Sequence, residues 1–72
     1  MSERVMYVKP GCPYCQAARD GLSADGLDWE ERDATTRPEW RAELFSHTND
    51  RGVVPTIVGP DGIQVGWPPG KG

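Results

Sequence analysis

Val5-Met6-Tyr7-Val8 is an unbroken apolar run flanked by Arg4 and Lys9. Such a run predicts a strand covered on both faces, placed centrally in a sheet. Beyond it, Tyr14, Ala17, Ala18, Gly21 and Leu22 recur at helical spacing, and Asp25-Gly26 supplies a stop, with glycine free to take the left-handed conformation. Leu27, Trp29 and Glu31 then alternate with Asp28, Glu30 and Arg32. That period predicts a strand, and its charged face places it at or near a sheet edge. Thr36 and Glu39 form a capping-box pattern with Pro38 in the first turn, followed by Trp40, Leu44 and His47 on one helical face, so a second helix is predicted to end near Asn49. From Gly52 onward glycine and proline are dense, leaving room for two short strands, Pro55 to Val58 and Ile63 to Gly66, joined by a turn at Gly59-Pro60-Asp61-Gly62.

The predicted order is β-α-β-α-β-β. A strand, helix and strand at this spacing imply a right-handed crossover with the first two strands parallel, and the hairpin completes a four-stranded mixed sheet. The chain has 72 residues, 36% of them hydrophobic. That length makes residues 1–72 one small α/β domain of modest stability, whose core is expected to rest on Trp29, Trp40, Leu44, Phe45 and Ile57. Residues 67–72 read as a tail rich in proline and glycine. The net charge of −3 and the scattering of single basic residues argue against a nucleic-acid partner. No apolar run is long enough for a membrane span and Met1 to Arg4 show no secretory pattern, so a cytoplasmic monomer is expected.

Both cysteines of the chain, Cys12 and Cys15, fall between the first strand and the first helix. Cys12 belongs to the loop and Cys15 to the first helical turn. The unpaired N–H groups and the positive dipole end of that helix favour a thiolate at Cys12, and Lys9 adds a positive charge nearby. Pro13 suits the first helical position, because its missing N–H costs nothing there. A lowered pKa raises the thiolate fraction and lowers nucleophilicity by similar factors, so its benefit lies in making Cys12 a good leaving group when a second thiol attacks. Repeated thiol–disulfide exchange follows, with Cys15 as the resolving thiol. A structural disulfide needs an oxidising compartment and would close too small a ring to matter much. A closed zinc site needs more ligands than two cysteines and one distant histidine supply, although two chains could share one. Two unrelated buried cysteines fit poorly with the flanking Lys-Pro-Gly and the strand-to-helix location. His47 is given no chemistry. Arg37 and Arg51 are further candidates for meeting carboxylates of a small ligand or of a protein partner.

Lys9-Pro-Gly-Cys-Pro-Tyr-Cys15 resembles the active-site motif of dithiol glutaredoxins, Val54-Pro55 resembles their Thr-Val-Pro turn, and Asp33 after the second strand also fits. The resemblance runs through residues 4 to 66. It implies a minimal thioredoxin-like fold and a thiol–disulfide oxidoreductase acting on protein disulfides or glutathione mixed disulfides, with no permanently bound cofactor or metal. It also implies Cys12 as nucleophile and Cys15 as resolving thiol, Pro13 and Tyr14 beside the substrate groove, and Lys9 paired with a substrate carboxylate. Pro55 would be cis, with the Val54 backbone pairing with the substrate peptide or glutathione.

In the family Gly-Gly and then an acidic residue follow the last strand, whereas here the run is Gly66-Trp67-Pro68-Pro69. That run is similar to a Gly-Phe-x-Pro segment of NrdH-type redoxins, which implies thioredoxin reductase as an alternative electron source, with Gly66 to Pro69 as the docking surface and Gly66 and Trp67 as further substrate- or glutathione-binding residues. Some glutaredoxins instead carry an iron–sulfur cluster shared by two chains and two glutathione molecules, the remaining alternative. The last helix of both families is expected to be absent, with Trp67 either folded over the face that helix would cover or part of the tail.

Overall fold

Two helices and four strands alternate as β1 (Val5–Val8), α1 (Pro13–Ala24), β2 (Glu30–Asp33), α2 (Pro38–His47), β3 (Thr56–Gly59) and β4 (Gly62–Val65). The computed structural model describes residues 3–60 and 62–67, so Asp61 of the hairpin turn and the tail segment 68–72 lie outside the described residues. The strands form one sheet in the order β2-β1-β3-β4. β1 is parallel to β2, with Val5 opposite Glu30, and antiparallel to β3, with Met6 opposite Ile57. β3 and β4 pair antiparallel. The predicted mixed α/β sheet is therefore present, with the apolar β1 inside and the charged β2 at an edge.

Several boundaries and packing assignments differ from the sequence expectation for identifiable reasons. β2 begins at Glu30 rather than Leu27, because the Leu27 N–H still bonds back to the Leu22 carbonyl at 3.0 Å and the first bond to the β1 side is Glu30 N–H to the Arg4 carbonyl at 2.8 Å. Leu27 is left 37% exposed. The Thr36–Glu39 capping box does not form. Arg37 is the N-cap of α2 without a side-chain cap, and the Thr36 hydroxyl donates to the Asp33 carbonyl at 2.8 Å in the turn leaving β2. β3 starts one residue after Pro55, which has no N–H to give the ladder. β4 likewise runs one residue earlier than expected, because Gly66 turns away with φ +87° and donates its N–H to the Pro55 carbonyl at 2.7 Å.

The core is built from smaller side chains than expected: Met6, Tyr7, Val8, Cys15, Ala18, Leu22, Ala34, Leu44, Val54 and Ile57 are buried. Trp40 and Phe45 are not among them. Each lies half-buried under a guanidinium, Arg37 at 4.7 Å from the Trp40 ring centroid and Arg41 at 5.2 Å from that of Phe45. Trp29 packs only at the margin. The buried stripe of α1 is Cys15, Ala18 and Leu22, whereas Tyr14 and Ala17 face solvent.

Trp67 folds back rather than joining a tail. A Cβ added to Gly21 would overlap its indole, so the absence of a side chain at position 21 makes room for the ring against α1.

Candidate active site

β1 leads into Lys9-Pro10-Gly11, where Gly11 takes φ +73° and turns the chain into α1. Cys12 caps the helix in an extended conformation, with φ −88° and ψ 111°, and Pro13 occupies its first turn. The Cys12 sulfur accepts the Cys15 backbone N–H at 3.3 Å. A donor otherwise left unpaired at a helix start is thus aimed at the sulfur. The same sulfur lies 3.9 Å from the Val54 carbonyl oxygen, towards which its S–H donates. Both cysteines are free thiols, Cys12 8% exposed and Cys15 fully buried.

Val54 is brought to the site by the segment after α2. The Thr48 hydroxyl donates to the Leu44 carbonyl at 2.8 Å and accepts the Gly52 N–H at 2.9 Å, tying the helix end to the returning chain. The Val54–Pro55 bond is cis, as the resemblance implies. Val54 and Pro55 are both buried beside Thr56, whose hydroxyl donates to the Val53 carbonyl at 2.6 Å.

The two thiols sit in different environments. Burial pushes the Cys15 thiol up to about 12, and its hydrogen bond with Cys12 acts the same way, while the Lys9 backbone and the Arg19 charge oppose the rise. Arg19 is a residue the sequence reading did not single out. Its signal was available, because four residues after Cys15 is the next position on the same helical face. The guanidinium is held by Glu31 of β2, with Nη2–Oε1 at 2.7 Å.

A groove of about 430 Å³ lies away from the thiols, between the end of α1 and the hairpin, and Trp67 forms part of its wall. A larger groove, about 640 Å³, runs from Lys9 past Thr36, Arg37 and Arg41 to Val54. It brings Lys9, Arg37 and Val54 together and adds Arg41, also missed from sequence. Cys12 and Pro13 line a smaller cleft that shares Lys9 with this groove. Tyr14 is 42% exposed on the outside of the first turn, and Arg51 is exposed outside these grooves. Gly66 reaches the site through its bond to Pro55, whereas Trp67 stands against Gly21, more than two helical turns from Cys12.

Comparison with known proteins agrees with this geometry. The family model described as Glutaredoxin matches residues 5–62. A glutaredoxin of Pseudomonas aeruginosa is 42% identical over 40 residues, an alignment covering 56% of this chain and 48% of that protein, so the match spans about half the relative's length. The solution structure of a glutaredoxin from Brucella melitensis superposes with a TM-score of 0.73 at 35% identity, covering 92% of this chain and 71% of that one. The glutaredoxin from Archaeoglobus fulgidus shares the fold with a TM-score of 0.79 at 24% identity, over 92% of this chain and 76% of its own. With a cysteine pair at the start of α1 facing the Val54–Pro55 turn, the chain belongs to the glutaredoxin family.

Proposed function

We propose that the protein reduces protein disulfides or glutathione mixed disulfides through Cys12 and Cys15. The observation that carries this reading is the Cys12 sulfur at the helix start, accepting the Cys15 N–H, with the Cys15 thiol buried behind it. The Cys12 thiolate attacks one sulfur of the substrate disulfide. That S–S bond breaks, a new one joins Cys12 to the substrate, and the other substrate sulfur leaves as a thiolate that takes a proton. Cys15 then loses its proton and attacks the Cys12 sulfur, releasing the substrate thiol and leaving a Cys12–Cys15 disulfide. The Cys15 N–H supports negative charge on Cys12 in the reverse direction, when Cys12 is the leaving group.

The groove bounded by Lys9, Arg37, Arg41 and Val54 suits an extended peptide-like ligand with a carboxylate, such as glutathione or a substrate segment. Its cations meet the carboxylate, and the Val54 main chain pairs with the ligand backbone. Two electrons from glutathione, or from thioredoxin reductase, restore the dithiol. The second reductant is favoured by one observation: Gly66 is followed by Trp67 rather than by an acidic residue that would hold the γ-glutamyl end of glutathione. A reducing compartment such as the cytoplasm suits this cycle.

NADPH-coupled reduction of the oxidised protein, run with glutathione plus glutathione reductase and separately with thioredoxin reductase, tests the proposal. Turnover in one arm identifies the reductant. A folded Cys12→Ser variant that reduces disulfides as fast as the parent would refute the role of Cys12.

A further inference from the structure

The cleft at the mouth of Cys12 has a charge pattern opposite to that of the whole chain. Its volume is about 300 Å³, and its walls include Lys9, Gly11, Cys12, Pro13, Gln16 and Arg19. Two cations and an amide line it, and no acidic residue does, in a chain of net charge −3. Arg19 is fixed in place: Nε donates to Glu31 Oε1 at 2.9 Å, Nη2 lies 2.7 Å from the same oxygen, and Nη1 donates to Gln16 Oε1 at 3.1 Å. Gln16 is itself held by Asp20, its Nε2 donating to Oδ1 at 3.0 Å. A guanidinium has five N–H donors. Among the described residues these contacts use one donor on each nitrogen, which leaves one N–H on each terminal nitrogen for a ligand. The Arg19 side chain remains 30% accessible, and its charge acts on both cysteine sulfurs.

We propose that this cleft is a subsite for the carboxylate of an aspartate or glutamate lying close in sequence to the substrate cysteine, with Arg19 and Lys9 as its cations and Arg19 as the specificity-determining residue. The proposal rests on the thiol–disulfide reading and adds a substrate class to it: protein disulfides with an acidic neighbour. A planar guanidinium pinned from behind by Glu31 loses little freedom on meeting a second carboxylate. The long-range field of an acidic protein disfavours an acidic peptide and favours a basic one. A preference for acid therefore reports the local cleft against the global charge.

The test uses the reduced protein in single turnover, so that no reductase or other co-reactant enters. Its substrates are short peptides bearing one cysteine in mixed disulfide with 2-mercaptoethanol, and Glu, Gln or Lys is placed in turn at each of the two positions on either side of that cysteine. Each reaction converts one dithiol and one mixed disulfide into the Cys12–Cys15 disulfide, free peptide thiol and 2-mercaptoethanol. At one or more positions the Glu peptide should react about fivefold faster than the Gln peptide, the advantage of one partly exposed ion pair. The Lys peptide should react slowest, and the differences should shrink in high salt.

In Arg19→Gln the Glu-to-Gln ratio should fall towards one. Because the ratio compares substrates on the same dithiol, any general change in thiol reactivity cancels. Equal rates for Glu and Gln at every position, a faster Lys peptide, or an unchanged ratio in Arg19→Gln would overturn the subsite while leaving the oxidoreductase reading intact. No reaction with any peptide would overturn both.

Discussion

The indole of Trp67 occupies the space that a side chain at Gly21 would need. Replacing glycine by alanine inside a helix ordinarily stabilises it by about 1 kcal/mol. In Gly21→Ala the overlap with the ring opposes that gain, and overpacking typically costs about 1–3 kcal/mol. The net change should be destabilising, with Trp67 displaced and its fluorescence shifted to longer wavelength. Urea denaturation of Gly21→Ala checks it, and a rise in stability would show that the indole does not rest there.

The two thiols should be chemically distinguishable. Cys15 is fully buried and its thiol is pushed up to about 12, chiefly by that burial. Only the thiolate reacts with iodoacetamide. Brief treatment of the reduced native protein near neutral pH should therefore alkylate Cys12 alone, and both cysteines should react in denaturant. Peptide mapping by mass spectrometry reads the outcome directly.

Tyr7 and Glu43 tie β1 to α2 through a hydrogen bond of 2.7 Å from the phenol to the carboxylate, which also accepts from Arg32 at 2.7 Å. Tyr7→Phe should lower stability by about 1–2 kcal/mol, the range for a bond to a charged acceptor that is partly exposed. A thermal melt that matches the parent would remove this contact from the account of stability.

The pH dependence of unfolding follows from the same groups. Burial and Glu43 push the Tyr7 phenol up to about 12, and Cys15 is raised likewise. Groups raised in the folded state keep protons that the unfolded chain releases, so their contribution is complete below their ordinary values and is lost between about pH 9 and pH 12. Glu43 is lowered by Tyr7 and Glu31 by Arg19. Their contribution is complete above the ordinary carboxylate range and is lost as pH falls through and below it. Melting temperature should therefore form a plateau with shoulders on both sides, and Tyr7→Phe should soften both of them.

Thr48 closes α2 and holds the turn to Gly52. Because its hydroxyl is buried and used in both directions, Thr48→Val should cost about 1–3 kcal/mol and leave the Gly52 N–H without its partner. Amide exchange should quicken at Gly52, whereas the β1–β2 amides should be accelerated only as far as global stability falls.

The elements legible in the sequence are those with a local cause. The apolar run Val5–Val8 became the inner strand, Pro13 marked the start of α1, and the left-handed glycine expected at position 26 is present with φ +70°. Cys12 at the helix start could be placed from its neighbours alone. Longer-range competition decided the rest. Thr36 had two available roles, and the Asp33 carbonyl took its hydroxyl away from the cap. Trp40 had the spacing of a core residue, but of the face it shares with Leu44 only Leu44 is buried, and the indole lies half-buried under Arg37. Arg19 shares the helical face of Cys15, but its partner Glu31, distant in sequence, is brought beside it only by the fold.

The depth of Cys15 also bears on damage by peroxide. An oxidant that reaches Cys12 first makes a sulfenic acid, which becomes irreversibly lost only if a second oxidant arrives before a thiol condenses with it. Here that thiol is three residues away in the same turn and shielded from the oxidant itself. Peroxide should therefore convert the protein to a mass lighter by two hydrogens, the disulfide, rather than to one heavier by two oxygens. In Cys15→Ala the heavier, inactivated form should accumulate, which assigns the deeper thiol the further part of safeguarding Cys12.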